Sequence, residues 1–280
     1  MAELVKPSVK HFVFINFFPA QVRQYLYNVL APKFLEMQLP LAKNSLSSLE
    51  NQTDKNFEVI FYVNPKFVDN PEYEFIFTTL KNSTTLPIKF ISSKAEWESL
   101  IKEAMNGYDF VIESKMDLDD FVFKGAIEDI KSKVPECDSV LTYGYTRGYV
   151  YVEGELWNYI QNYYIGLGYS SIFYSLIIRT SAVKEWPFGC LDITRPGHNK
   201  VKPTFEEIYA KNNLEFKDSM FRQNSTTDAY IYFRHDFTRE KLVYNRSKIP
   251  KIPKLTTADI TKKQLEEEFG FSGYELKSIE

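Results

Sequence analysis

Short apolar runs alternate with amphipathic stretches along the first half of the chain. Residues 12–15, 57–63, 87–91 and 110–112 are rich in Val, Ile and Phe, which predicts four buried strands. Residues 40–51, 95–105 and 125–133 place apolar side chains on one face, which predicts helices. Strands that alternate with helices in this way pair in parallel through crossover connections. The pattern therefore predicts an α/β fold.

The pattern changes after residue 139. Tyrosines alternate from Tyr143 to Tyr151 around Thr146-Arg147-Gly148, which predicts a β-hairpin with a glycine turn. Residues 169–178 fit a further strand, residues 189–204 a long loop and residues 205–213 a helix. Residues 226–235 fit a helix or a strand equally well.

Composition narrows the class of protein. The 280 residues are 44% hydrophobic and 25% charged, which is ordinary for a soluble globular protein. A net charge of −3 argues against general binding to nucleic acid. The aromatic share of 16% is high; most of these rings should fill the core, and a minority could line a sugar-binding groove. Two cysteines imply no disulfide scaffold and favour a cytoplasmic setting.

Membrane contact would have to be peripheral. The apolar run at residues 12–18 is too short to span a bilayer and lacks the features of a signal peptide. Residues 239–254 carry six basic residues against one acid, so they could approach an anionic membrane surface or form a solvated connector. A helix over residues 257–269 follows, capped by Thr257 or Asp259. We divide the chain into a domain at 1–245 and a connector with an amphipathic helix at 246–280.

The chemistry-bearing stretch is Met116-Asp117-Leu118-Asp119-Asp120, directly after a buried strand. Three carboxylates in four residues cannot enter the core unless a cation compensates their charge. At the end of a strand they would face the crevice where open α/β sheets bind ligands. Mn²⁺ or Mg²⁺ would neutralise both these acids and a bound diphosphate. The alternative is a solvated acidic turn that caps the helix starting near Gly125.

Several phrases resemble a known family. Residues 34–59 resemble the early helix and second strand of GT-A glycosyltransferases, where an S-L-x-x-Q-T-x-x-x-F phrase precedes the strand. Residues 114–120 are similar to the T-R-x-D-x-D-D motif of the putative rhamnosyltransferase family. Residues 148–151 and 234–236 resemble its G-Y-x-x strand and its late His-containing segment. Lys115 stands where the family has Arg. Only Arg can bind a phosphate through two parallel hydrogen bonds, so the resemblance does not identify the sugar donor.

The resemblance implies a GT-A (Rossmann-like) mixed sheet flanked by helices, with a C-terminal helical tail. It also implies roles for individual residues. Asp119 and Asp120 would coordinate the metal, and His235 would be a further ligand or an ordinary surface histidine. Asp117 would lie near the ribose or reach the metal through water, and Lys115 would meet a phosphate. The remaining predicted nucleotide contacts, which could equally be ordinary turns, are Asn16, Phe17 and Asn64.

The acceptor side of such an enzyme needs a base. Asp228 stands where GT-A enzymes that invert the anomeric centre carry the acid that deprotonates the acceptor hydroxyl, at the start of a helix. Its alternative role is an N-cap. The rival bases are Asp192, Glu206 and Glu207.

The sequence thus predicts a glycosyltransferase of polysaccharide biosynthesis, a hexosyltransferase with rhamnose as one candidate sugar. It would use a nucleotide-diphosphate sugar and a saccharide or lipid-linked acceptor, with inversion. A nucleotidyltransferase is the first alternative, but it would carry a Gly-rich basic loop where residues 16–20 read Asn-Phe-Phe-Pro-Ala. A non-catalytic glycan-binding protein is the second, against which the intact acids at 117, 119 and 120 count.

Overall fold

The computed structural model of the chain describes residues 6–17, 39–68, 70–152, 155–160, 173–183, 205–207, 209–210, 213–234 and 260–271. The four predicted strands of the first half are present there with slightly different bounds. The strands are β1 (Val9–Asn16), β2 (Glu58–Tyr62), β3 (Ile88–Ile91), β4 (Phe110–Met116), β5 (Phe121–Val122), β6 (Val140–Val152), β7 (Glu155–Ile160), β8 (Tyr174–Arg179) and β9 (Phe221–Arg234).

The predicted helices of the first half are also confirmed. They are α1 (residues 39–50), α4 (Lys94–Gly107) and α5 (Ala126–Ser132). Two helices that were not predicted, α2 (Pro65–Val68) and α3 (Glu74–Asn82), lie between β2 and β3, and α6 (Lys262–Phe269) follows near the end of the described chain. Ser93 caps α4 with its side chain, which accepts from the amide of Glu96. Residues 205–207 and 209–210 are helical, in agreement with the helix predicted there.

All nine strands of the described part join one sheet, in the order β3-β2-β1-β4-β8-β6-β9-β5, with β7 on the outer part of β6. Strands β1 to β4 pair in parallel, whereas β8 runs antiparallel to both β4 and β6. Strands β6 and β9 are parallel again. The predicted α/β class, with a mixed sheet, flanking helices and a C-terminal helix, is therefore confirmed.

The connection between β4 and β5 requires a curled sheet. Only five Cα steps separate Met116 from Phe121, which reach about 18 Å at full extension. In a flat sheet β5 would lie four strand spacings away from β4, or about 19 Å, before any offset along the strands. The sheet must therefore fold over so that the acidic loop can cross it.

Both faces of β1 are buried, which explains its unbroken apolar run. Phe12 and Phe14 pack with Trp97 of α4 on one face. Val13 and Ile15 belong to the larger core on the other face, which α1 enters with Leu46 and Leu49. Helices on both sides of parallel strands give the central sheet its layered, Rossmann-like arrangement.

The hairpin predicted around Thr146-Arg147-Gly148 is wrong. Strand β6 continues from Val140 to Val152, and its hairpin partner is β7. Gly148 is required for a close approach instead, since a Cβ there would lie 2.3 Å from the backbone oxygen of Tyr230. Alternating tyrosines are compatible with one long strand, so the glycine alone produced the error.

Two further expectations need correction. Residues 226–234 belong to β9, so the helical alternative for 226–235 is wrong. The last helix begins at Lys262 with Thr261 as its N-cap, not with Thr257 or Asp259. Thr261 and Gln264 form a capping box, a Thr-x-x-Gln signal that the sequence contains.

Some predictions fall on residues outside the described ranges. The long loop at 189–204, the basic connector at 239–254 and the boundary at residue 245 lie there, so they stay predictions. Among the described residues, no helix combines the length and the apolarity that crossing a lipid bilayer would require.

Candidate functional site

Strands β1 and β4 create a crevice at one edge of the sheet. The chain leaves β1 toward β2 and β3 on one side and returns to β4 on the other. This reversal is a topological switch point, where open α/β sheets bind ligands beyond the carboxyl ends of the strands. Asn16 ends β1 and Asp117 follows β4, so both lie at this edge. Asn64, beyond β2, lies at the same edge one strand further away.

The acidic loop consists of residues 117–120. It turns tightly, because the amide of Asp120 donates to the carbonyl of Asp117 at 3.3 Å. Lys115 Nζ lies 2.7 Å from Asp117 Oδ1, and Lys115 itself is buried. Asp119 is half-buried, whereas Asp120 is only 1% exposed. Neither caps α5, whose N-cap is Gly125 without a side-chain hydrogen bond, so the capping alternative is wrong.

Side chains of α1 hold the main chain of this loop. The hydroxyl of Ser45 donates to the carbonyl of Leu118 and lies 3.1 Å from that of Asp120. Ser48 Oγ donates to the carbonyl of Val122 at 3.0 Å and accepts from its amide at 2.8 Å.

Gln52, just after α1, forms hydrogen bonds with the main chain of residues 123–127. Its Nε2 donates to the carbonyl of Phe123 at 2.9 Å, and its Oε1 accepts from the amide of Ile127 at 3.1 Å. Ser45, Ser48 and Gln52 are all buried. Sequence reasoning noticed Ser48 and Gln52 only as part of a family phrase. The available signal was a polar stripe at spacings of three and four on an otherwise apolar helix face.

The predicted nucleotide contacts differ in what their side chains do. Asn16 Oδ1 is buried, and no hydrogen-bond partner for it occurs in the described part of the chain. Phe17 is 1% exposed and packs on Phe61, so only its backbone faces the crevice edge. Asn64 Oδ1 accepts from the amide of Lys66 and so closes the first turn of α2. Asn16 is therefore the candidate whose buried polar atom has no hydrogen-bond partner among the described residues.

Asp228 lies on β9 and not at a helix start. Its carboxylate pairs with Arg147 Nη2 at 3.1 Å, and both side chains are partly exposed. Burial and the neighbouring Asp228 carboxylate raise the pKa of Tyr149. Phe121, directly after the acidic loop, pairs with Ile231, three positions after Asp228 and about 10 Å along the strand. Asp228 is thus not in contact range of the loop through this pairing.

The other predicted residues are not brought to the loop by the described structure. Glu206 and Glu207 are exposed, next to Phe205, which packs on Tyr174 and Leu176. Asp192 and His235 lie outside the described residues.

The donor chemistry of the acidic loop fits a hard divalent cation in part. Asp117, Asp119 and Asp120 supply carboxylate oxygens, which Mg²⁺ and Mn²⁺ prefer. In the described ranges, however, no three His, Cys, Asp or Glu side chains come together as a metal site. A cation here would take its remaining ligands from diphosphate oxygens, water or residues beyond those ranges.

Comparisons with other proteins place nucleotide-sugar enzymes among the structural neighbours. No protein-family model and no curated protein matches the chain. Among crystal structures, S. aureus TarS is similar to this chain with a TM-score of 0.41 and 14% sequence identity, and the match covers 81% of this chain and 37% of TarS. A putative nucleotide-diphospho-sugar transferase from Desulfovibrio desulfuricans matches with a TM-score of 0.39 and 13% sequence identity, and the match covers 87% of this chain and 88% of the transferase. A cytidylyltransferase from Leptospira borgpetersenii matches with a TM-score of 0.39 and 9% sequence identity, and the match covers 79% of this chain and 77% of the cytidylyltransferase.

Proposed function

We propose that this protein is a metal-dependent glycosyltransferase that uses a nucleotide-diphosphate sugar as donor. The acceptor is a saccharide or a lipid-linked saccharide, and transfer inverts the anomeric centre. The observation that carries the proposal is the position of Asp117, Asp119 and Asp120 at the β1–β4 switch point. Together with the S-L-x-x-Q-T and D-x-D-D phrases, this position favours a diphosphate ligand over other anions.

The crevice offers matched chemistry for the two halves of such a donor. Asn16 Oδ1 at the end of β1, for which the described residues supply no hydrogen-bond partner, would accept a hydrogen bond from a nucleotide base. Asp119 is the more accessible carboxylate of the loop for a cation, since Asp120 is buried. A bound Mn²⁺ or Mg²⁺ would supply Lewis-acid stabilisation of the leaving diphosphate. Lys115 holds Asp117 in place beside it.

The acceptor would be deprotonated by Asp228 on β9, the strand that pairs with β5 directly after the acidic loop. Arg147 now pairs with that carboxylate, so an acceptor hydroxyl has to displace or share this contact. The pair can therefore report acceptor binding, because a sugar hydroxyl competes with the guanidinium for the same oxygen atoms.

The test is a titration of nucleoside diphosphates with and without Mn²⁺, read as the shift in melting temperature. A ligand that binds only the native state stabilises it by about 2.7 kcal/mol at 100 times its Kd. We expect the shift to require both nucleotide and metal, and Asp119→Asn to abolish it without lowering the melting temperature of the free protein. Glu103→Gln, an exposed acid in the last turns of α4, is the matched control and should keep the shift.

The outcomes separate the alternatives. A shift without metal would contradict the metal site, and a strong preference for triphosphates would favour a nucleotidyltransferase. Binding of glycans without nucleotide would favour a glycan-binding protein. Unfolding of the Asp119→Asn variant would show that the acid is structural.

A further inference from the structure

We propose that Ser45, Ser48 and Gln52 are positioning residues that set the metal and diphosphate affinity of the acidic loop. This inference rests on the proposed function, because it concerns the ligand of the same loop. The three side chains do not face the crevice as ligands. They act through the main chain of residues 118–127.

Ser45, Ser48 and Gln52 are polar side chains in a buried position, which costs free energy. All three are buried on the side of α1 that also carries Leu46 and Leu49 into the core. Burying polar atoms is unfavourable unless they form hydrogen bonds. Here the hydroxyls and the amide direct those bonds to the loop and to the start of α5, so the polar stripe serves that segment.

The two serines bind particular peptide groups of the loop and of the residues just after it. Ser45 contacts the carbonyls of Leu118 and Asp120, which lie on the two sides of Asp119. Ser48 takes both the amide and the carbonyl of Val122. The peptide groups on both sides of the half-buried Asp119 are therefore held by hydrogen bonds.

Holding the acidic loop in one conformation should raise its affinity for a cation. Carboxylates crowded within four residues repel one another, and a free loop would spread them apart. Metal binding would then have to include the cost of gathering them again. A loop held in its binding geometry avoids that cost, so supporting hydrogen bonds raise affinity without touching the ligand.

The experiment compares Ser48→Ala and Ser45→Ala with two controls. Ser47→Ala removes a hydroxyl from the same helix, but that hydroxyl donates to the carbonyl of Gly270 at 3.2 Å and not to the acidic loop. Ile76→Val trims a buried side chain of α3 and provides a loss of stability away from the loop. The two readouts are amide hydrogen exchange and Mn²⁺ affinity measured with a nucleoside diphosphate present.

We expect faster exchange at the amide of Asp120 in Ser48→Ala, and an Mn²⁺ affinity about tenfold weaker, as for other supporting contacts of metal sites. Faster exchange at Val122 alone would only reflect its lost acceptor. The proposal is overturned if Asp120 exchanges as in the wild type, or if Ile76→Val at an equal fall in melting temperature weakens Mn²⁺ equally.

Failure of the proposed function has a different signature. In that case the wild type itself would bind no Mn²⁺ with any nucleoside diphosphate. Hydrogen exchange at Asp120 would still decide whether the serines position the loop. If Ser48→Ala does not fold, Ser45→Ala gives the same comparison, because it releases the carbonyls of Leu118 and Asp120 and leaves both backbone groups of Val122 bound.

Discussion

His11 is fully buried in β1, where its Nε2 lies 2.7 Å from the hydroxyl of Ser114. Ser114 in turn lies 2.5 Å from Ser175. Burial, helped by the positive charge of Lys131, lowers the pKa of His11 to about 3. The imidazole is therefore neutral at physiological pH and is held inside the sheet by the Ser114 hydroxyl.

This histidine should make the fold sensitive to mild acid. The unfolded chain takes up the proton near pH 6.5, whereas the folded protein resists it until about pH 3. The contribution of neutral His11 to stability is thus complete above pH 6.5 and is lost as the pH falls. We expect the free energy of unfolding to drop by about 1 kcal/mol between pH 6.5 and 5.5, and His11→Gln to remove that drop. Urea denaturation at both values measures it.

Carboxylates do not obscure this window. Burial would raise the pKa of Glu50, but hydrogen bonds from Thr84 and Thr85 lower it to about 2. Such acids lose their contribution only well below pH 5. An equal slope in the wild type and His11→Gln between pH 6.5 and 5.5 would contradict the assignment to His11.

Asp228 gives a second prediction for a single residue. Asp228→Asn should keep donor binding but lower sugar transfer by about 10²-fold or more, because a lost general base has this effect. Arg147→Met is the control, since it removes the partner of Asp228 and leaves the carboxylate in place. Near-normal transfer by Asp228→Asn would move the role to Asp192, Glu206 or Glu207.

At the scale of elements, α6 packs on the domain and touches the segment that leaves the acidic loop. Leu265 and Phe269 join an apolar cluster with Phe121 and Tyr149. Phe271 meets the ring of Phe121 edge-on at 5.0 Å. The amide of Lys124 donates to the carbonyl of Glu268 at 2.7 Å, and Gly270 ends the helix with a positive φ of 66°.

These contacts predict that the last helix supports the site as well as stability. Phe269→Ala should lower the free energy of unfolding by about 3–5 kcal/mol, because it removes a buried ring. It should also weaken nucleotide and Mn²⁺ binding, since its neighbours include Phe121. Lys263→Ala, on the exposed side of the same helix, should change neither quantity. Titration and thermal melting of both variants provide the measurement, and unchanged affinity in Phe269→Ala would confine the helix to a stabilising role.

Local patterns predicted some elements and misjudged others for a definite reason. The strands before the acidic loop have long apolar runs bounded by polar residues, and they appear where the pattern places them. The alternation of tyrosines in β6 has the same period in a hairpin and in a continuous strand. Only Tyr230 on β9, far away in sequence, reveals why Gly148 is a glycine.

For the whole molecule, the sequence predicts the parallel half of the sheet because each strand follows its crossover helix directly. It does not predict that β9 joins β6 in parallel, since that pairing joins segments about 80 residues apart, such as Arg147 and Asp228. The place of Asp117 to Asp120 at a strand end follows from local pattern. The contacts of Ser45, Ser48 and Gln52 do not, because they depend on how the folded sheet presents the loop to α1.

The contact between Ser47 and Gly270 spans 223 positions of sequence. Ribosomes make proteins from the N-terminus, so residues 260–271 emerge after every other described element. A nascent chain can assemble its central strands early, but its apolar surface at Phe121 and Tyr149 stays open until α6 arrives. The partly made protein therefore carries an aggregation-prone apolar surface until the last described helix is in place.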